Sequence, residues 1–152
     1  MKTYFLECAH SLDETILLLK KTGAPLFILT KPEIGFFERF LKYTLFLTYK
    51  SLQQESQLQP SILWLCKIAC TNNIDYALKF TRPLKNKAAL TSEEELSENT
   101  LAALGRPYTP TAEERRKAEK AMQKQFEFSD AALKEYSLED LMIERAAVAT
   151  TF

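Results

Sequence analysis

The residues of this chain that could do chemistry are few. It has one histidine, His10, three cysteines, Cys8, Cys66 and Cys70, and three glycines. A Ser-His-Asp triad with a spare base, an HExxH zinc site or a glycine-rich phosphate loop is hard to assemble from that inventory. The cysteines form no CxxC pair, and an odd, small number fits buried thiols in a reduced cytosolic protein. Cys66 and Cys70 lie in an apolar run that reads as a strand, where an even separation puts both on one face. Without two further ligands nearby they read as small buried hydrophobes rather than metal ligands. His10 precedes the first helix and reads as polar turn chemistry. The expectation is a non-enzymatic protein with no cofactor, no metal and no small-molecule substrate.

One stretch does concentrate polar side chains. In "IACTNNIDYALKF", residues 68–80, Thr71, Asn72 and Asn73 stand between an apolar run and a helical pattern, and Asp75 falls in the first helical turn. The unpaired N–H groups of a helix start make an anion site, and asparagine amides can hydrogen-bond bases or ribose hydroxyls. A strand-to-helix turn at a sheet edge is also a usual ligand position in α/β folds. Against this stands plain helix capping, which spacing alone favours. A small-molecule-binding or enzymatic α/β domain with its ligand at residues 71–75 is the rival functional class, and a scaffold with no ligand is a third.

Global charge gives no help to nucleic-acid binding. Twenty Lys and Arg balance twenty Asp and Glu, so any RNA contact must be local and weak for the chain alone. Arg115, Arg116, Lys117, Lys120 and Lys124 are interleaved with glutamates and read as a solvated helix face. Glu93 to Glu95 and Glu113-Glu114 read as complements to helix dipoles. The apolar stretch from Ile34 to Leu52 is broken by Glu38, Arg39, Lys42 and Lys50, too often to cross a bilayer. The N-terminus lacks the pattern of a signal peptide. The expected location is cytoplasmic, with a nuclear one open if the source is eukaryotic, and no membrane partner.

The elements that must position these residues alternate. Residues 3–9 read as a strand; Ser11 and Glu14 form a capping box for a helix that Gly23 stops. Residues 25–30 read as a short buried strand, and Pro32 opens a helix apolar on more than one face over 34–52. Residues 61–70 read as the strongest, doubly buried strand. A helix over 73–80 stopped by Pro83, an edge strand over 85–91 and a helix capped by Ser92 and Glu95 follow. After a break at 107–111, Thr111 and Glu114 cap a charged helix, and Ser129 and Ser137 cap two more. The order predicts one mixed α/β domain over 1–152, a small central sheet packed with helices, with a helical C-terminal third.

Two stretches resemble a known family, the smallest core subunit of the KEOPS complex (the TPRKB-like family). The first is the apolar run with Thr71-Asn72-Asn73-Ile74 and "DYALKF"; the second is "QKQFEFSDAALKEYSLEDLMIERAAVA", residues 123–149, above all its "LEDLMIERAAV". The resemblance implies a non-catalytic subunit of an assembly that makes threonylcarbamoyladenosine in tRNA. It implies docking on the small atypical protein kinase of that complex and contact with the tRNA 3′ acceptor end. Carried over by position, the tRNA-facing residues are Thr71, Asn72, Asn73 and Ile74. Asn72 stands where the family commonly has Arg, and Cys70 where it has Gly. No basic residue stands around Leu58 to Pro60. Lys67, Lys79, Arg82, Lys85 and Lys87 are the cations expected to compensate. The kinase surface is expected on the helix over 34–52, through Phe36, Phe37 and Phe40, with Leu141, Ile143 and Arg145 of the last helix.

Overall fold

A computed structural model describes residues 1–54 and 57–149. Four strands, β1 (Lys2–Cys8), β2 (Phe27–Thr30), β3 (Lys87–Ser92) and β4 (Gly105–Pro107), form one antiparallel sheet in the order β2-β3-β1-β4. The helices are α1 (Leu12–Lys21), α2 (Glu38–Leu52), α3 (Pro60–Ile68), α4 (Ile74–Thr81), α5 (Glu98–Leu104), α6 (Ala112–Phe126), α7 (Asp130–Glu135) and α8 (Leu138–Ala149). A 3-10 turn over Pro32–Phe36 precedes α2. The fold class is the expected one, a mixed α/β domain with a small sheet and C-terminal helices.

Both faces of the sheet are covered. One carries α1 and α5 over Leu6, Leu19, Leu90 and Leu104; the other carries the larger core around Phe40, Trp64, Ile68, Met122 and Met142. Gly35 lets the 3-10 turn lie directly on β3, since a Cβ there would sit 2.6 Å from Ala89 Cβ. The buried threonines of the large core do not waste their hydroxyls. Thr48 and Thr81 donate to carbonyls four residues back, at 2.8 Å each, and Thr44 donates to Leu41 O at 3.0 Å.

The expected strand over 61–70 is a helix, α3. Its apolar residues point all ways because it is buried between neighbours, and Leu63, Trp64, Cys66 and Ile68 are all buried. An all-round apolar run of this length fits a buried helix as well as a buried strand. Pro60 at its first turn is the residue that decides, since proline is pre-set for a helix start and unsuited to a central strand. Cys66 and Cys70 therefore do not share a strand face. The fourth strand is instead 105–107, short and at the sheet edge. Ser92 ends β3 rather than capping a helix, and Ser97 is the cap of α5, accepting from Thr100 N at 3.2 Å. The caps at Ser11, Thr111, Ser129 and Ser137 accept from the expected backbone N–H groups, and at Thr111 the Glu114 side chain completes the box.

The apolar excess of α2 is mostly core. Phe37 and Phe40 are buried, Phe40 completely, with the Phe40 ring edge-on to Phe126 at 6.1 Å. They are not available to a partner, which corrects their assignment to a docking surface. Replacing Phe40 by Ala is expected to cost about 3–5 kcal/mol in urea denaturation, against about 0.5 kcal/mol or less for Phe46→Ala. A cost at Phe46 matching that at Phe40 would place Phe46 in the core too.

Candidate functional site

The turn between α3 and α4 does two structural jobs in five residues. The end of α3 is closed by a paired hydrogen-bond motif: Cys70 N donates to Lys67 O at 3.2 Å and Thr71 N to Cys66 O at 3.1 Å. That motif needs a left-handed residue, and Cys70 provides it with φ 54°. The next helix begins at once. Thr71 Oγ1 accepts from Asn73 N at 3.1 Å, and Asn73 Oδ1 accepts from Tyr76 N at 3.0 Å as the cap of α4. Thr71 and Asn73 are thus spent on backbone groups. Asn72 is exposed and makes no side-chain hydrogen bond among the described residues.

The surroundings correct the strand-to-helix picture. The turn joins two helices, at the far end of an α3–α4 hairpin from the sheet edge. Ile74 is half-buried against the large core. Cys70 packs there too, and burial pushes its thiol up to about 12 despite the opposing pull of nearby Arg145. Burial also raises Cys66, so neither thiol is a ready nucleophile.

The cations expected beside this turn are spread out, with Lys79 exposed in the last turn of α4. Lys67 lies in the last turn of α3, next to Thr71, and burial holds its ammonium below the usual lysine value. Arg82, Lys85 and Lys87 lie past the other end of α4, an eight-residue helix that separates them by about 12 Å. Lys85 and Lys87 line a groove of about 390 Å³ with Lys31, Phe36, Tyr108 and Lys117. Lys87 Nζ sits 4.8 Å over the Tyr108 ring. Of the expected cations Lys67 adjoins the turn, and Arg145 of α8 reaches Cys70 there; neither the Lys85–Lys87 groove, nor the one beside Met1 and Phe36, nor the one over β2 is lined by residues 71–75.

On the expected kinase face, Phe36 is half-buried with its ring 4.9 Å from that of Phe5. Leu141 and Ile143 are half-buried. Arg145 is exposed but engaged within the chain: its Nη1 donates to Phe126 O at 3.2 Å and its guanidinium covers the Phe128 ring at 4.9 Å. Among the exposed apolar residues of this region are Val148 of α8 and, on α2, Tyr49 and Phe46, the last 59% accessible with the Tyr43 ring 6.2 Å away. A helical wheel would have found Phe46, since at 100° per residue Phe46 falls among Arg39, Lys42 and Lys50, the charges that mark the solvent side of α2. Arg39 joins this face to α8, with Nη2 3.0 Å from Asp140 Oδ1 and Nε 3.4 Å from Glu139 Oε1.

The remaining reactive groups do not converge. His10 Nδ1 lies 3.5 Å from Glu14 Oε2 on the exposed start of α1. No three His, Cys, Asp or Glu side chains gather as a metal site among the described residues. No helix among the described residues is long and apolar enough to cross a membrane.

The turn makes a direct test of which polar residues are structural. Asn73→Ala is expected to lower stability by about 1 kcal/mol, and Asn72→Ala to leave it unchanged. Cys70→Gly relieves the left-handed strain of a non-glycine residue, worth about 1 kcal/mol, so thermal unfolding should show little net loss despite the deleted side chain. Comparison with protein-family models gives no match for this chain, and comparison with curated proteins gives none either, so the turn geometry and the two resembling stretches are the grounds on which a function rests.

Proposed function

We propose that this chain is a non-catalytic subunit of a KEOPS-type assembly, binding its small atypical protein kinase and lending a weak contact to the tRNA 3′ acceptor end. The observation that carries the reading is the backbone at Cys70. The resembling family has glycine at that position, and here the residue stands at φ 54°, the conformation glycine adopts freely. A second observation supports it: the two stretches that carry the resemblance pack together, α8 lying against α3 and Cys70 sharing the large core with Leu138 and Ile143.

The kinase-binding face in this reading is the outer side of α2, centred on Phe46 and Tyr43 and bordered by Lys42, Lys50 and the Arg39 link to α8. In this reading Leu141, Ile143 and Arg145 belong to α8, the helix that packs against α2. An aromatic anchor inside a charged rim has the make-up of a protein–protein hot spot. A typical interface would ask about 800 Å² of this subunit.

The tRNA edge is Asn72 with Lys67, held by Thr71, Asn73 and Ile74. One amide and one desolvated lysine make a weak phosphate site. The edge then works only when the assembly brings RNA to it.

Co-purification with a KEOPS kinase tests the reading. Wild-type chain should capture the kinase, and Phe46→Glu should reduce capture at least about tenfold while the variant stays folded. No capture by wild type would refute the assignment, while capture unaffected by Phe46→Glu would move the interface elsewhere. In the assembled complex, Asn72→Arg should strengthen tRNA binding and steepen its salt dependence by about one phosphate contact. An unchanged salt slope would remove position 72 from the RNA path.

A further inference from the structure

The edge of β2 lies open at the bottom of an apolar groove. β2 pairs on one side only, with β3, in the register Ile28 opposite Thr91 and Thr30 opposite Ala89. Glu93 N donates to Leu26 O at 2.9 Å, which fixes the alternation. Leu26, Ile28 and Thr30 turn their backbone groups toward β3, and Phe27 and Leu29 turn theirs away. At the next outward position Lys31 N is already used, donating to Thr81 O at 2.8 Å and closing that end. What remains is a row of N–H and C=O groups on Phe27 and Leu29, without a partner among the described residues.

These groups face a groove of about 820 Å³ between two helical walls. Leu12 and Ile16 of α1 form one wall; Ile62 and Leu65 of α3, with Leu78 of α4, form the other. Leu78 is a large apolar side chain left 41% exposed here. Lys20 and Arg82 stand at the rim, and neither has an ion-pair partner among the described residues. Asp13 is the single acid on the lining.

We propose that this groove binds an extended peptide segment of a partner protein, added as a fifth strand along β2, with apolar residues at alternate positions and a flanking carboxylate for Lys20 or Arg82. The floor repeats every two residues, as another strand does, and a four-residue edge is about 13 Å long. A sugar–phosphate chain offers neither that repeat nor apolar groups for the two walls. An open edge of this kind invites pairing, and charges at its ends restrict which chains can pair. The groove lies at the opposite end of the α3–α4 hairpin from Asn72 and does not depend on the KEOPS reading.

The test uses the full chain and a capped hexapeptide, Asp-Val-Ile-Val-Leu-Glu, titrated while the amide resonances of Phe27 and Leu29 are followed. Saturable shifts at both amides are expected. N-methylation of the peptide's alternate edge-facing nitrogens should weaken binding at least about tenfold, because it deletes strand hydrogen bonds and keeps the side chains. Leu78→Asp and, independently, Arg82→Glu should each weaken it by a similar factor. The proposal fails if nothing saturates by about 1 mM peptide, since any affinity left is then weaker than about millimolar. It fails equally if the N-methylated peptide binds as well, or if a thymidine hexanucleotide displaces the peptide from the same amides.

Discussion

The packing of α3 against α2 turns on one buried indole. Trp64 is fully enclosed, and its Nε1 donates to Thr44 Oγ1 at 3.1 Å. An indole N–H shut away without an acceptor costs enough to disfavour the arrangement, so the position of Thr44 sets where α3 can lie along α2. Thr44 in turn donates to its own helix at Leu41 O, which fixes the direction of its lone pairs. From this contact the rest of the large core follows. α2 is held to α8 through Arg39, α3 passes into α4 through the Cys70 turn, and the end of α4 receives the N–H of Lys31 just beyond β2. The candidate surfaces are thus placed by a chain of contacts that starts in the driest part of the molecule.

Legibility in the sequence followed the strength of local chemistry. Capping residues were readable because a hydroxyl three residues before its target leaves a fixed spacing, and Ser11, Thr111, Ser129 and Ser137 all act as that spacing predicts. Two strands of the sheet, β1 and β2, were readable from apolar runs between turn residues, and β3 was read as an edge strand although it lies inside the sheet. The run 61–70 was not, because burial on every side removes the periodicity that separates a strand from a helix. Proline at its start carried the missing information. Ser92 shows the opposite hazard. Its capping-box spacing with Glu95 is genuine, yet strand pairing with Lys2 takes the residue first.

At the candidate site the sequence marked a crowded junction and assigned it the wrong scaffold. The crowding of Thr71, Asn72 and Asn73 marks a place where one helix stops and another starts without a linker, and two of the three side chains are consumed by that junction. The cations could not be sorted by distance along the chain, because a short helix lies between Lys67 and Arg82. For the partner face, counting aromatics over 34–52 mixed two populations. Phe37 and Phe40 serve the interior, while Phe46 shares its side of α2 with Arg39, Lys42 and Lys50.

The closed turn before α4 has a consequence for how this surface can change. Cys70, Thr71 and Asn73 are committed to backbone geometry, so replacements there act on stability. Asn72 sits between them on a rigid platform and carries no structural duty. Its side chain can be exchanged for a cation, an amide or an acid while its neighbours hold the same coordinates. Under the proposed reading, the affinity of the turn for RNA is therefore adjustable at a single codon, separately from stability.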